Sequence, residues 1–218
     1  MKKLIIAMTS AFILFANSAM SIEMRPSIGI SGNSGVYAAT GIENNYNEAG
    51  TAIDETTKEH GAFNETFMSI FAEMSLNDSL SIGIDYVPVT IDTPENTSND
   101  GGVNTNKVYV TFEDLTTIYA KLNVPLGGTY LKVGYSTVNV MSNESMSSGN
   151  SYGNDRSDAI SFGLGYAHEL ADGLAVRAEI TGSEFSDVTT TNGQTNKTEI
   201  KVEDMIGARG TISVVKSF

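Results

Sequence analysis

Alternation of apolar and polar residues is the feature that most limits the fold of this chain. In the segment SLSIGIDYV, the apolar residues Ile82 and Ile84 alternate with Ser81, Gly83 and Asp85. The segments AISFGLGYAH and LAVRAEITG repeat this pattern. A period of two places neighbouring side chains on opposite faces of a β-strand. Beyond the first residues, charged, Gly or Asn residues interrupt every apolar run before it reaches the about 18 residues of a transmembrane helix.

Breaks of two kinds separate the alternating segments. Tight breaks occur at LND, PLGG and ADG, around Asn77, Gly127 and Gly173. Long polar breaks occupy residues 40–61, 90–106, 141–158 and 183–197. Tight and long breaks alternate along the chain, as expected for hairpins that are joined by longer loops. They divide the chain into eight predicted antiparallel strands, with short connections at one end and long connections at the other.

Charged residues share the polar face of these strands with many Gly and Ser residues. The charged residues on this face are Glu65, Glu73, Asp85, Glu113, Lys121, Lys132, Arg177, Glu179 and Arg209. In a soluble exported barrel, the apolar face forms the core and these charges meet water. In a membrane barrel, the apolar face meets lipid and the charges pair in a narrow polar interior. Both interpretations fit the alternation itself.

Two features favour the membrane barrel. Tyr86, Tyr135 and Tyr166 lie toward strand ends on the apolar faces, where an interfacial aromatic girdle is expected. The alternation of short and long connections is typical of an even-stranded barrel that has both termini on one side of the membrane. The sequence therefore predicts an all-β, eight-stranded, antiparallel, up-and-down transmembrane β-barrel. Eight strands leave an interior just wide enough for side chains, so an open pore is not expected.

The first residues have the pattern of a secretory signal peptide. Lys2 and Lys3 precede an apolar stretch, which is followed by the small residues Ala19 and Ser21. The apolar stretch is short for a spanning helix. We therefore predict a signal peptide at residues 1–21 and a barrel at residues 22–218. Cleavage after Ala19 and a retained anchor are the alternatives.

The printed sequence finishes on an alternating run, GTISVVKSF, whose last residue is Phe218. In this ending and in its whole predicted architecture, the chain resembles the small eight-stranded outer-membrane proteins of Gram-negative bacteria, the OmpA, OmpX and OmpW type. In that group a terminal aromatic residue is read by the machinery that inserts barrels. The resemblance thus implies that Phe218 is an assembly signal. Lys216 departs from the group's pattern, because an apolar residue is usual at that position.

The resemblance also implies a location and partners. The location is the cell outer membrane, with four extracellular loops and three periplasmic turns. The expected partners are outer-membrane lipid and lipopolysaccharide, the barrel-assembly machinery during insertion, and an unknown surface ligand. Nucleic acid is not expected, because the chain carries a formal net charge of -13 and phosphate binding requires clustered Lys or Arg.

Candidate chemistry is sparse. The chain has no Cys, which removes thiolate chemistry and Cys-based metal sites. A serine hydrolase needs a histidine base, and the chain offers only His60, in the first long break, and His168, beside a tight turn. No catalytic residue, metal site or cofactor is predicted. We expect a non-enzymatic protein with an envelope or surface-interaction role through its acidic loops. The alternatives are a narrow channel for ions or small solutes and a lipid hydrolase that uses His60.

The membrane assignment makes a direct prediction about folding. Residues 22–218 refolded in detergent are expected to show mostly strand by circular dichroism, and to migrate differently on a gel before and after boiling. Apolar outer faces need detergent or lipid to cover them. Folding in plain buffer would contradict the membrane barrel and favour the soluble one.

Overall fold

The computed structural model describes residues 24–99, 105–145, 151–194 and 197–218. The predicted signal peptide at residues 1–21 lies outside them, as do residues 100–104, 146–150 and 195–196 of the predicted loops. No helix among the described residues is long and apolar enough to cross a membrane. The strands are β1 (Arg25–Tyr46), β2 (Ile53–Ser75), β3 (Leu80–Tyr86), β4 (Ile91–Asp92), β5 (Asn96–Asn99), β6 (Thr105–Asn123), β7 (Thr129–Ser145), β8 (Asp155–Ala171), β9 (Leu174–Phe185), β10 (Val188–Thr191) and β11 (Thr198–Ser217).

Eight of the strands form a closed antiparallel ring. Their order around the ring is β1, β2, β3, β6, β7, β8, β9 and β11. The ring closes where β11 pairs with β1 in a long register that begins at Ser27 and Ser217. The short strands β4 and β5 add to β6, and β10 adds to β11. The predicted eight-stranded antiparallel barrel is therefore confirmed.

The two faces of the wall have the distribution expected in lipid. Large apolar side chains on the predicted outer parity are exposed; Ile180, for example, is 66% exposed and Ile212 is 58% exposed. The buried side chains include many polar and charged ones, among them Ser69 at 1% exposure and Glu73 at 4%. A soluble barrel has the opposite distribution. The interpretation as an inside-out membrane barrel is the one that the structure supports.

The connections differ in length at the two ends of the ring. At the lower end, as we call it here, β8 and β9 are joined by Asp172 and Gly173, both with positive φ, and the other two connections are also tight turns. At the upper end, β1 and β2 run 22 and 23 residues. Both strands are longer than the about 9–11 residues that a β-strand needs to span a membrane.

The upper strands enter the regions that the sequence analysis treats as loops. Residues 40–61 are mostly strand, since β1 continues to Tyr46 and β2 starts at Ile53. Beyond the membrane both faces of a strand meet water or polar side chains, so the apolar alternation fades while the backbone pairing continues. The sequence pattern therefore marks the spanning part of each strand and misses its extension.

Two bulges change which side chains face inward. The register between β6 and β7 shifts between Glu113 and Thr116, where Asp114 has a φ of 54°. A similar shift occurs in β11 beside Asp204, whose φ is also 54°. Each bulge adds a residue to one strand and reverses the alternation beyond it. Phe112 and Ile118 share one parity along β6, which predicts both on the outer apolar face. Because of the bulge, Phe112 instead packs inside the ring against a buried cluster, and that prediction is wrong.

Inward aromatic rings lie over glycines on the neighbouring strand. Tyr130 on β7 is directly paired with Gly165 on β8, and Tyr119 on β6 with Gly83 on β3. A Cβ added at either glycine would overlap the tyrosine ring. Phe71 covers Gly29 and Tyr37 covers Gly207 in the same way. The glycines thus make room for large rings inside a small barrel.

We predict that Gly165→Ala destabilises the barrel by about 1–3 kcal/mol, the usual effect of overpacking a tight interior. The added methyl group would overlap the Tyr130 ring. Urea unfolding in lipid vesicles, followed by circular dichroism and gel shift, measures the change. Gly182→Ala is the matched control, because nothing lies within 4 Å of a Cβ at Gly182. Equal losses for the two variants would show that the aromatic contact has no special role.

Candidate functional site

A shared carboxylate organises the lower half of the interior. Glu73 on β2 accepts from the Lys121 ammonium at 2.5 Å and from two Arg177 nitrogens at 2.9 and 3.0 Å. The Tyr119 hydroxyl also donates to Glu73, at 3.1 Å. The Glu73 side chain is 1% exposed, and those of Lys121 and Arg177 are 6% and 12% exposed. Strands β2, β6 and β9 therefore meet across the ring at one buried ion-pair cluster.

A second ion pair lies beside the first. The Lys132 ammonium on β7 is 2.5 Å from a carboxylate oxygen of Glu179 on β9. Thr181 donates to the same carboxylate at 2.8 Å. The Lys132 ammonium also lies 5.0 Å from the centre of the Tyr119 ring, which links the two pairs. Buried charges are stable only when paired in this way.

The remaining predicted interior charges have different surroundings. Asp85 accepts from Ser69 at 3.0 Å, at one end of a hydrogen-bond chain that continues through Asn33 to Thr211. The guanidinium of Arg209 lies 5.9 Å from the centre of the Phe67 ring. The polar core, as we name it, comprises Glu73, Asp85, Tyr119, Lys121, Tyr130, Lys132, Arg177, Glu179 and Arg209.

Two of the predicted interior charges are not brought into the polar core. Glu65 is partly exposed and accepts a hydrogen bond from the Thr66 amide at 3.3 Å. Glu113 sits at the β6 bulge next to the inward-facing Phe112, so strand alternation directs it away from the interior. Strict alternation along β6 places Glu113 on the inner face, and the bulge reverses that placement.

The polar core fills the lower half of the ring. The cavity that remains among its side chains has a volume of about 20 Å³. A space of this size holds on the order of one water molecule. In this structure the lower half is therefore closed to solutes.

An apolar cavity occupies the upper half of the ring, and sequence reasoning missed it. Its volume is about 430 Å³, and we call it the upper chamber. Side chains from most strands of the ring line it, chiefly Tyr37, Phe63, Ile91, Phe112, Leu115, Val138, Phe185, Val188, Val202 and Met205. The Phe63 ring stacks with those of Tyr37 and Phe112, at 5.5 and 6.3 Å between centres. Below it, Phe67, Val87 and Ile91 form a buried apolar cluster that separates the chamber from the polar core.

The wall of the chamber has an unpaired seam. β2 pairs with β1 out to Ile53, but among the described residues it pairs with β3 only from Ile70 to Ser75. β4 and β5 pair with β6 instead. Residues 59–63 of β2 line the chamber on one side of the seam, and Ile91, Thr93 and Pro94 line it on the other. We call this seam the side window.

Prolines explain why the window exists. Pro88 follows β3 and Pro94 precedes β5, and these are two of the four prolines in the chain. Proline has no backbone N–H to donate to a strand ladder. The segment stays attached to β6 through the amides of Val87 and Thr93, which bond to Leu115 and Val110. It is therefore held on its β6 side, and among the described residues β2 has no strand partner along that edge above Ile70.

Other predicted residues lie on the surface. His60 belongs to β2 and hydrogen-bonds through Nδ1 to the Thr40 hydroxyl at 2.9 Å. His168 is exposed on β8 opposite Val176. Phe218 is 68% exposed, and its amide bonds to the Pro26 carbonyl at 3.0 Å. Within the described part of the chain, no group of His, Asp or Glu residues is placed to hold a metal ion.

We predict that Glu73→Gln lowers the free energy of unfolding by about 3–5 kcal/mol, because Lys121 and Arg177 lose the charge that compensates both of them. Urea unfolding of the vesicle-inserted protein measures the loss. Glu95→Gln is the control: it breaks the 2.7 Å pair with Lys107 at the surface, where both side chains are more than 40% exposed. That change is expected to stay within about 1 kcal/mol. A Glu73→Gln protein as stable as the control would argue that the cluster does not stabilise the barrel.

Comparison with known proteins agrees with this geometry. The sequence model of the "Outer membrane protein beta-barrel domain" family matches residues 8–203. The solid-state NMR structure of outer membrane protein AlkL in lipid bilayers superposes with a TM-score of 0.53 at 10% identity, covering 92% of this chain and 93% of AlkL. The crystal structure of the outer membrane protein OprG from Pseudomonas aeruginosa has a TM-score of 0.51 at 11% identity, covering 88% of this chain and 95% of OprG. No protein with a curated description matches the sequence.

At such low identity the two structures establish the fold alone. The family match covers most of the chain, and the exposed apolar belt and closed ring are those of a barrel in lipid. The chain belongs to the outer membrane protein beta-barrel domain family and resides in the outer membrane.

Proposed function

We propose that this barrel takes small apolar molecules into the upper chamber. The observation that carries the proposal is an apolar cavity of about 430 Å³ inside a ring whose lower half is closed. Ligand sites in proteins have volumes of about 300–1,000 Å³ and mostly apolar linings. A mostly apolar lining offers water few hydrogen-bond partners and so favours apolar occupants.

The lining of the upper chamber has the features of a ligand site and not those of a close-packed interior. Tyr37, Phe63, Phe112 and Phe185 offer aromatic surface, yet they leave space between them. Protein interiors are otherwise close-packed, and unfilled apolar volume is destabilising. An occupant that contacts these rings would recover the lost dispersion contacts. The side window supplies a route by which an occupant enters.

The alternative functions fit the geometry less well. An ion channel needs a continuous aqueous path, whereas the polar core leaves about 20 Å³. An open path would give conductance steps in planar bilayers that change when Arg177 is neutralised. A hydrolase built on His60 needs a base that is oriented toward a nucleophile and an oxyanion site. His60 hydrogen-bonds to the Thr40 hydroxyl on the neighbouring strand β1, and among the described residues this is its one side-chain partner.

An envelope or surface-interaction role remains a second candidate. The β1–β2 hairpin extends beyond the membrane and carries the exposed acidic residues Glu43, Glu48, Asp54 and Glu55. A paired hairpin holds these charges in fixed positions, as a surface ligand would require. This role involves the outside of the hairpin and is compatible with binding in the chamber.

A single tryptophan tests chamber binding directly. The chain contains no Trp, so Phe185→Trp places one reporter in the chamber wall. We expect a neutral brominated alkane to quench this reporter in lipid nanodiscs, and an unbrominated alkane to reverse the quenching. Ala39→Phe fills part of the chamber and is expected to weaken the apparent affinity about tenfold, or about 1.4 kcal/mol.

The matched control is Ala178→Phe, which adds the same ring at an exposed position on the outside of β9. It is expected to give the same apparent affinity for the brominated alkane as the Phe185→Trp reporter protein. If Ala39→Phe and Ala178→Phe give the same curve as the reporter protein, the quencher acts from the lipid and the chamber does not bind it.

A further inference from the structure

The side window carries a carboxylate, the only one among the described residues that line the chamber. Among the described residues that line the chamber, Glu59 is acidic, His60 is titratable, and the rest are apolar or uncharged. Glu59 lies on β2 opposite Gly41, beyond the point where β2 loses its pairing with β3. It is exposed, and none of the salt bridges found in the described residues involves it. Its charge is thus available at the entrance of an apolar space.

The cations near the window are directed elsewhere. Lys58 precedes Glu59 on the strand, so alternation places it on the opposite face. Lys107 is paired with Glu95, and Lys201 lies 3.6 Å from Glu199. The upper strands carry further acidic residues, so the potential at the window is negative.

Among the described residues, the deep end of the chamber offers no comparable charge. Arg209 of the polar core lies against the Phe67 ring and is not among the residues that line the chamber. The buried cluster of Phe67, Val87 and Ile91 separates the two spaces. A molecule with one apolar end and one charged end therefore fits in one orientation, with its tail inside and its charged group at the window.

We propose that the chamber prefers cationic amphiphiles of the alkylamine class, and that Glu59 sets this preference. The inference rests on the proposed function, because it requires the chamber to accept the apolar tail. The ammonium group stays hydrated at the window beside the Glu59 carboxylate, while a carboxylate group in the same place is repelled. Since Glu59 is exposed to water and salt, the preference is modest, about fivefold, as for one surface ion pair.

Competition among three probes with the same tail tests the inference. Decylamine, decanol and decanoate compete with the brominated alkane for the Phe185→Trp reporter, in zwitterionic nanodiscs at pH 8 and 150 mM salt. The expected order of affinity is decylamine, then decanol, then decanoate. Glu59→Gln is expected to bring the ratio of decylamine to decanol affinity close to one, and Glu59→Lys to favour decanoate.

Glu55→Gln is the matched control. It removes the same charge from the same face of β2, four residues farther out, which is more than the about 8 Å screening length at this salt concentration. It is expected to keep the wild-type ratio. Repeating the competition with Ala39→Phe measures the background from probes dissolved in lipid.

The outcomes separate the two proposals. If decanol fails to compete at all, the chamber does not bind apolar chains and the proposed function falls. If all three probes compete equally, or if Glu59→Gln and Glu55→Gln lower the ratio alike, the chamber binds apolar chains and the role of Glu59 is refuted. A preference for decanoate in the wild-type protein would also refute it and would direct attention to Arg209.

Discussion

The ion pairs of Glu73 with Lys121 and Arg177 are the interaction on which the rest of the structure depends. An eight-stranded ring in lipid must place its apolar side chains outside, which leaves polar groups to fill a narrow interior. Three strands that are distant in sequence contribute to this one cluster, with bond lengths between 2.5 and 3.0 Å. Because each charge of the cluster contacts a group of opposite charge, the lower half can be closed without an apolar core. The closed lower half also closes the lower end of the upper chamber.

The packing of rings against glycines works together with the charges. Tyr119 donates to Glu73 and lies over Gly83, so one side chain joins the ion-pair cluster to the wall. Tyr130 covers Gly165 and lies within 5.5 Å of the Lys121 ammonium. A ring over a glycine takes up the space that a side chain at that position would otherwise fill. This lets several charged side chains pack into a ring of only eight strands.

The sequence predicts the spanning half of the barrel better than the upper half, for physical reasons. Around Ile82 and Ile180 one face meets lipid and the other meets the interior, so the period of two is clear, and the eight strands and their outer faces follow from it. The ion-pair partners do not follow, because which charges meet across the ring depends on strand stagger. Phe112 was misplaced because the bulge at Asp114 reverses the alternation, and a single Asp in a strand does not signal its φ of 54°. The extension of β1 and β2 beyond Thr40 and Gly61 was missed, since polar residues on both faces leave no apolar alternation to detect.

The inward-facing side of β2 shows how one strand builds both compartments. From the lower end upward, Glu73, Phe71, Ser69 and Phe67 alternate polar and aromatic groups within the buried interior. Above them Phe63 reaches the chamber, and Glu59 reaches the window. Among the described residues, β2 loses its partner on this side above Ile70, where β3 gives way to the segment that contains Pro88 and Pro94. Two prolines in an otherwise strand-like stretch were thus a signal for the window in the sequence itself, because a residue without an N–H cannot continue the ladder. The same stretch of β2 that loses its neighbour presents the chamber's carboxylate, so the position of the opening and its charge have one structural origin.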